Sequence, residues 1–156
     1  MKFYCLSLFF FISVSLSAQT KQKAEVEFLK VLNKVAKLSV SQHWAYEDPF
    51  TVDSVFHITG DSLTATFRFI NDSSSYRIRY TAPVAKIRSV DKDVFIILSF
   101  PGRAVNVYES INGKEWVHFD KRNLFHIGAL SLDEDTHPEL LEELELAWTK
   151  LSYHYE

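Results

Sequence analysis

Residues 63–98, LTATFRFINDSSSYRIRYTAPVAKIRSVDKDVFIIL, decide the fold of this chain. Apolar and polar side chains alternate along several short runs in this stretch, as they do in half-buried β-strands. Turn-forming residues separate the runs: residues 71–74, then Ala82 with Pro83, then Asp91 with Lys92. The stretch therefore predicts a continuous antiparallel meander with one apolar face.

The three predicted turns determine which residues face one another across neighbouring strands. They place Phe67 opposite Ile78, Ile78 opposite Ile87, and Ile87 opposite Ile96. All four side chains fall on one face, and a shift of one residue would move them to the other face. We therefore expect this row to lie inside the molecule.

The opposite face of the predicted meander is rich in cations. The same turns place Arg68 opposite Arg77, Arg77 opposite Arg88, and Arg79 opposite Lys86. Like charges that face each other across strands destabilise a sheet. We therefore expect a negative group close to this face.

Two sources of negative charge would satisfy the cationic face, unless water and salt alone screen it. One is a bound phosphate, sulfate, carboxylate or acidic glycan, which guanidinium groups hold through paired hydrogen bonds. The other is the chain itself, through glutamates near its C-terminus, namely Glu142, Glu143 and Glu145. If the source is a ligand, the ligand-binding residues are Arg68, Arg77, Arg79, Lys86 and Arg88.

The segments on either side of this stretch predict two helices and further strands. Residues 20–38, and the residues after a capping box of Thr136 with Glu139, carry apolar side chains at helical spacing. Residues 50–59 predict a regular strand with Ser54 and His57 on opposite faces. Hairpin turns are predicted at Gly60 with Asp61 and at Asn112 with Gly113.

The predicted fold class is α+β, with seven or eight antiparallel strands, as a curved sheet or split barrel, between an N-terminal and a C-terminal amphipathic helix. This order resembles that of pleckstrin-homology-like domains, in which the helix closes one end of a split barrel. The resemblance implies that fold. It does not carry over lipid binding, because the hairpin at residues 59–62 lacks the basic residues with which such domains bind inositol phosphates. A helix on a curved sheet, of the cystatin or nuclear transport factor 2 type, is the second possibility.

The first 18 residues have the pattern of a signal peptide. Lys2 precedes an apolar run over residues 3–16, and small residues up to Ala18 precede the expected cleavage position. Residues 19–156 then form a single α+β domain. Because the only cysteine, Cys5, lies in the leader, the mature chain would have no disulfide. We expect an exported protein, in a bacterial periplasm or outside the cell, with no transmembrane segment after the leader is removed.

Charge and motifs limit the functions that the mature chain can have. Of 17 basic residues only Lys2 is in the leader, so 16 basic and 20 acidic residues leave a formal charge of −4. This balance argues against general affinity for nucleic acids. No nucleophile or metal-ligand motif is present, so we predict a non-catalytic domain without cofactor or metal that binds an anionic small ligand or a partner protein. The alternatives are a small envelope hydrolase using His57, His118 or His126, and a structural subunit.

Overall fold

The computed structural model describes residues 4–39, 50–70, 75–92, 96–128 and 139–155. In this part of the chain, two helices flank eight antiparallel strands, which confirms the predicted α+β class. The elements in chain order are α1 (Tyr4–Ser39), β1 (Phe50–Thr59), β2 (Ser62–Ile70), β3 (Ser75–Pro83), a 3-10 helix (Val84–Lys86), β4 (Ser89–Lys92), β5 (Ile96–Ser99), β6 (Val105–Ile111), β7 (Val117–Arg122), β8 (Leu124–Gly128) and α2 (Glu139–Ser152).

The described strands form two sheets. The large sheet has the order β1-β2-β3-β6-β7, and the small sheet has the order β4-β5-β8. Every pairing between neighbours is antiparallel. Only Asn123 separates β7 from β8, so the chain passes from the large sheet to the small one at this residue.

The pairing of β2 with β3 is as predicted. Phe67 lies opposite Ile78 on one face, and Arg68 lies opposite Arg77 on the other. The predicted loop at residues 71–74 lies outside the described residues. The strands on either side of it pair up to Ile70 and Ser75, as predicted.

The two predicted hairpin turns are also confirmed. Gly60 has a φ of +59°, in the turn between β1 and β2. Asn112 and Gly113 have φ values of +50° and +74°, and Lys114 N donates to Ile111 O at 3.0 Å. Positive φ at both central residues is the requirement of a type I′ turn, which explains the Asn-Gly pair.

The predicted pairing beyond β3 is wrong. β3 lies beside β6, so that Arg77 faces Ser110 and Arg79 faces Tyr108. The segment that follows β3 in the chain belongs to other elements. Three predicted pairs are therefore absent: Ile78 with Ile87, Arg77 with Arg88, and Arg79 with Lys86.

The end of β3 explains this difference. Pro83 ends the strand, and the chain continues into the 3-10 helix Val84–Lys86 instead of a two-residue hairpin. Val84 N donates to Asp61 O at 2.9 Å, and Ile87 N donates to Val84 O at 3.0 Å. These bonds direct the chain away from β3 toward the small sheet, and β6 pairs with β3 in its place.

The predicted turn at Asp91 and Lys92 is wrong for the same reason. Both residues lie in β4, which pairs with β5 so that Lys92, and not Ile87, lies opposite Ile96. The connection between these strands, residues 93–95, lies outside the described residues. Ile87 is nevertheless buried at 6% exposure, so its predicted position inside the molecule is confirmed without its predicted partner.

One hydrophobic core draws on both helices and both sheets. At its centre the ring of Phe125 lies 5.4 Å from that of Phe56 and 5.2 Å from that of Tyr80. These contacts join the small sheet to the large one, because Phe125 belongs to β8. The fully buried large side chains are Phe28, Phe56, Phe69, Phe125, Leu32, Leu63, Ile96, Leu98, Ile127, Leu140 and Leu144.

The helices cover the core and pack against each other. The predicted apolar stripe of α2 is buried at Leu140, Leu144, Ala147 and Leu151. The predicted capping residue Thr136 lies outside the described residues. α1 begins at Tyr4, so the helix predicted over residues 20–38 extends back into the predicted leader.

No helix in the described ranges combines the length and the apolarity that a membrane span requires. Cleavage after the leader and export stay predictions.

Candidate anion-binding site

The predicted five-residue cationic site is divided in the structure. Arg68 and Arg77 face each other on the outer side of the large sheet, and Arg79 follows on the same face of β3. Lys86 ends the 3-10 helix and Arg88 lies between that helix and β4, so neither belongs to the large sheet. The outer face of β2 and β3 therefore brings together three of the five predicted residues.

Asp53 of β1 is the carboxylate shared by the two arginines that face each other. Its Oδ1 accepts a hydrogen bond from Arg68 Nη2 at 2.5 Å, and its Oδ2 lies 3.8 Å from Arg77 Nη1. The negative group expected near the like-charge pair thus comes from the neighbouring strand. Glu143 of α2, one of the predicted sources, instead pairs with Lys34 of α1 at 3.1 Å.

A short chain of hydrogen bonds links Arg77 to the loop that carries Trp116. Arg77 Nη2 donates to Ser110 Oγ at 3.1 Å, and Ser110 Oγ donates to Lys114 O at 2.5 Å. Ser110 is only 1% exposed, so water has little access to compete for these bonds. The arrangement fixes the start of the loop at residues 114–116.

Arg79 packs against an aromatic ring. Its guanidinium carbon lies 4.0 Å from the centroid of Trp116, and that of Arg77 lies 5.0 Å from it. Within the described residues, Arg79 forms no ion pair and no side-chain hydrogen bond. A cation–π contact orients a cation without cancelling its charge. Within the described part of the chain, Arg79 therefore presents a guanidinium group that no carboxylate neutralises.

A polar groove of about 390 Å³ lies beside Arg79. Small-molecule sites in proteins have volumes of about 300–1,000 Å³, so this groove is at the small end of the range. Hydroxyl, imidazole and guanidinium groups from β1, β2 and β3 form its walls. The lining residues are Ser54, His57, Thr64, Thr66, Arg79 and Thr81.

Thr66 is the buried polar residue of the groove. It lies directly opposite Arg79 in the β2–β3 pair and is only 4% exposed. The hydroxyls of its neighbours Thr64 and Thr81 lie 3.3 Å apart and hydrogen-bond to each other, whereas the Thr66 hydroxyl has no hydrogen-bond partner within the described residues. A buried polar group without a partner costs free energy. Thr66 is therefore a group that a bound ligand would satisfy.

Two irregularities in β1 bring both Ser54 and His57 to this groove. The pairing with β2 shifts between Val52 and Ser54 and again between Ser54 and His57. Ser54 consequently faces Thr66, and His57 faces Thr64. In a regular strand residues 54 and 57 would lie on opposite faces, so the predicted regular alternation of this strand is wrong.

Asn33 of α1 supports the irregular part of β1. Its Nδ2 donates to Phe56 O at 3.0 Å, and its Oδ1 accepts from Phe56 N at 2.7 Å. Phe56 has no partner in the β1–β2 pairing, so the side-chain amide satisfies both of its backbone groups. The contact fixes the backbone immediately before His57.

The three histidines considered for catalysis lie in different surroundings. His57 lines the groove, and its Nδ1 is 2.9 Å from a backbone carbonyl. The ring of His118 on β7 packs edge-on against Tyr108 with centroids 5.4 Å apart. His126 lies on β8, where burial and then the charge of Arg122 lower its pKa from 6.5. The hydrolase alternative stays a prediction.

A second group of charged side chains lies at the end of β7. Asp120 accepts hydrogen bonds from Arg103 Nη2 at 2.7 Å and from Arg122 Nε at 3.1 Å. The hydrogen bond from Arg122, followed by one from the Lys121 backbone, holds the pKa of Asp120 below its usual value. These two arginines are thus already paired, which distinguishes them from Arg79.

The candidate site therefore consists of Arg79, the indole that supports it and the hydroxyl-lined groove. Comparison of the chain with family models, with curated proteins and with solved structures found no match.

Proposed function

We propose that this protein is an exported, non-catalytic binding domain that takes an anionic ligand in the groove beside Arg79. One observation carries the proposal. Within the described residues Arg79 has no carboxylate partner, whereas its neighbours Arg68 and Arg77 share Asp53. A guanidinium group offers parallel N–H donors to the oxygens of a carboxylate, sulfate or phosphate.

The surroundings of Arg79 support this role. The indole of Trp116 limits the positions that the long side chain can adopt, so less conformational entropy is lost when an anion binds. Most of the groove lining consists of groups that can both donate and accept hydrogen bonds, such as the Thr66 hydroxyl. Such a lining recognises the uncharged part of a polar ligand.

Anion titration of the purified mature protein tests the proposal. Isothermal calorimetry at low ionic strength, where screening is weak, would use acetate, sulfate and inorganic phosphate. Wild type should bind at least one of them, and Arg79→Ala should weaken that binding about tenfold or more, since a charge-assisted hydrogen bond contributes about 1.5–3 kcal/mol.

Arg88→Ala is the matched control, because it removes an arginine charge from an exposed position outside the large sheet. This variant should bind like wild type apart from a small general effect of net charge. The proposal is wrong if no anion binds to wild type. It is also wrong if Arg79→Ala and Arg88→Ala weaken binding equally, because the effect would then be non-specific.

Export is a separate part of the proposal and has its own test. The support is the leader pattern that ends near Ala18. Mass spectrometry of the protein recovered from the envelope or the medium of a bacterial expression host should give a chain that begins at Gln19 or a neighbouring residue. Recovery of the full-length chain from the cytoplasm alone would contradict export.

A further inference from the structure

We infer that the ligand is a monoanion of monosaccharide size, in which a carboxylate is attached to a hydroxyl-rich body, as in a uronic acid. The inference rests on the proposed function and adds the chemical class of the ligand. It depends on three properties of the groove. These are the number of cations that line it, the part of the Arg79 guanidinium that Trp116 does not cover, and the hydrogen-bond donors and acceptors on its walls.

The charge of the groove matches one negative charge. Among the described residues that line the groove, Arg79 is the single arginine or lysine. Arg77, two residues earlier on the strand and so about 7 Å away along it, is already close to the Asp53 carboxylate. A phosphate monoester carries about −1.5 to −2 charges near neutral pH and would need a second cation. A carboxylate carries a single negative charge and needs only one cation.

The position of Trp116 restricts how Arg79 can bind an anion. Because the guanidinium carbon lies 4.0 Å from the ring centroid, the indole covers one side of the cation. The N–H groups of Arg79 that are not directed at the ring are the donors left for a ligand. Two parallel N–H groups match the two oxygens of a planar carboxylate.

The rest of the groove has the chemistry to bind ligand hydroxyl groups. His57 Nδ1 lies 2.9 Å from Val55 O, and since a carbonyl oxygen only accepts, Nδ1 carries the hydrogen. In the neutral ring Nε2 is then an acceptor. A sugar hydroxyl can donate to it, whereas an ionised phosphate or sulfate oxygen has no hydrogen to give. Thr66, buried and without a partner within the described residues, offers a further hydroxyl.

Competition between ligands of matched size and charge tests the inference. Sodium glucuronate, acetate, glucose and inorganic phosphate would each be titrated into the wild-type protein and into Arg79→Ala at low ionic strength. Glucuronate should bind at least tenfold more tightly than each of the other three, and Arg79→Ala should remove this preference. A uronate-containing oligosaccharide, titrated beside the monomer, identifies whether a free sugar acid or a glycan residue is preferred.

Thr66→Val separates the hydroxyl contacts from the charge contact. The substitution keeps the shape of the side chain and removes a hydroxyl without a partner in the described residues, so the unfolding midpoint in urea should not fall. Glucuronate affinity should fall about fivefold, and acetate affinity should not change. Thr51→Val, on β1 opposite Arg68 and outside the groove lining, is the control and should leave both affinities unchanged.

The outcomes distinguish this inference from the proposed function. If phosphate or acetate binds as tightly as glucuronate and Arg79→Ala abolishes that binding, the monoanionic sugar acid is wrong and the anion site stands. If Thr66→Val leaves the preference for glucuronate over acetate intact, the hydroxyl contacts are wrong. If none of the anions binds to wild type, the proposed function itself fails.

Discussion

Asn33→Ala tests whether α1 fixes the irregular backbone of β1. In the folded protein the Asn33 amide donates to Phe56 O at 3.0 Å and accepts from Phe56 N at 2.7 Å. The substitution removes both bonds at once. Phe56 has no partner in the β1–β2 pairing that could replace them, because the register shifts between Ser54 and His57.

The size of the effect follows from the two backbone groups that lose their partners. A buried donor or acceptor left unsatisfied costs about 1–3 kcal/mol. The bonds are partly buried, so water compensates part of the loss and we expect about 2–4 kcal/mol for the pair. For a small domain the free energy of unfolding changes by about 1–3 kcal/mol per molar urea, so the urea midpoint should fall by about 1–2 M.

Equilibrium unfolding in urea, followed by circular dichroism, measures this shift. Lys34→Ala is the control on the next residue of α1, where the lost ion pair with Glu143 joins side chains 45% and 44% exposed and contributes less than about 1 kcal/mol. Asn33→Asp should be nearly as destabilising as Asn33→Ala, because it places a carboxylate against the Phe56 carbonyl. If Asn33→Ala loses no more than about 0.5 kcal/mol, the level of an ordinary surface substitution, the reasoning is refuted.

Three further predictions concern the core and the pH dependence of stability. Phe125→Ala should lower the free energy of unfolding by about 3–5 kcal/mol, because it empties the contact between the two sheets; a loss below about 1 kcal/mol in urea unfolding would show that this contact is not central. Burial, and then the hydrogen bond to Glu25, raise the pKa of Tyr155. As the pH rises, the Tyr155 hydroxyl therefore loses its proton at a lower pH in the unfolded chain than in the folded protein. The free energy of unfolding should consequently decline as the pH rises above about 10. Tyr155→Phe should make that decline shallower in urea unfolding at alkaline pH, and an unchanged slope would contradict it. Burial, and then the charge of Arg122, lower the pKa of His126 from 6.5. As the pH falls, His126 is therefore protonated at a higher pH in the unfolded chain than in the folded protein. The free energy of unfolding should consequently decline as the pH falls below about 6.5. An NMR titration should show His126 protonating below 6.5, and His126→Gln should flatten the decline; a titration midpoint above 6.5 would disprove the assignment.

The part of the fold that could be predicted from sequence is the part that depends on neighbouring residues. A turn fixes the register of the strands on either side of it, and a one-residue shift would turn the apolar side chains outward. This is why Phe67 opposite Ile78 and Arg68 opposite Arg77 were predictable, as was the Asn-Gly hairpin. Helical periodicity likewise identified the buried stripe of α2.

The pairing of β3 with β6 could not be predicted by the same reasoning. The residues that meet are far apart in sequence, as Arg79 and Tyr108 are. Two segments alternate apolar and polar residues as a strand beside β3 must: the segment that follows Pro83, and β6. A rule based on local turns favours the segment nearer in sequence. The choice depends on where the 3-10 helix directs the chain, which is set by contacts such as Val84 N to Asp61 O.

The candidate groove was not predicted because it depends on two irregularities in β1. An extra residue on one strand leaves no mark on the alternation of apolar and polar residues, but it moves later side chains to the other face. Ser54 and His57 reach the same groove only through these shifts. Asp53 was missed for a different reason: the partner of the cationic face was sought on the last helix.

The three arginines on the outer face of the large sheet do not act as one multi-cation site. Arg68 and Arg77 contribute to the contacts that position Arg79. Asp53 offsets the repulsion between Arg68 and Arg77, so the sheet tolerates the pair. Arg77 in turn donates to the buried Ser110 hydroxyl, which fixes the loop leading to Trp116. Trp116 then holds Arg79 at the groove without neutralising it. Arg68, Arg77 and Arg79 thus have different roles. The charge that is available to a ligand is that of Arg79, which has no carboxylate partner in the described part of the chain.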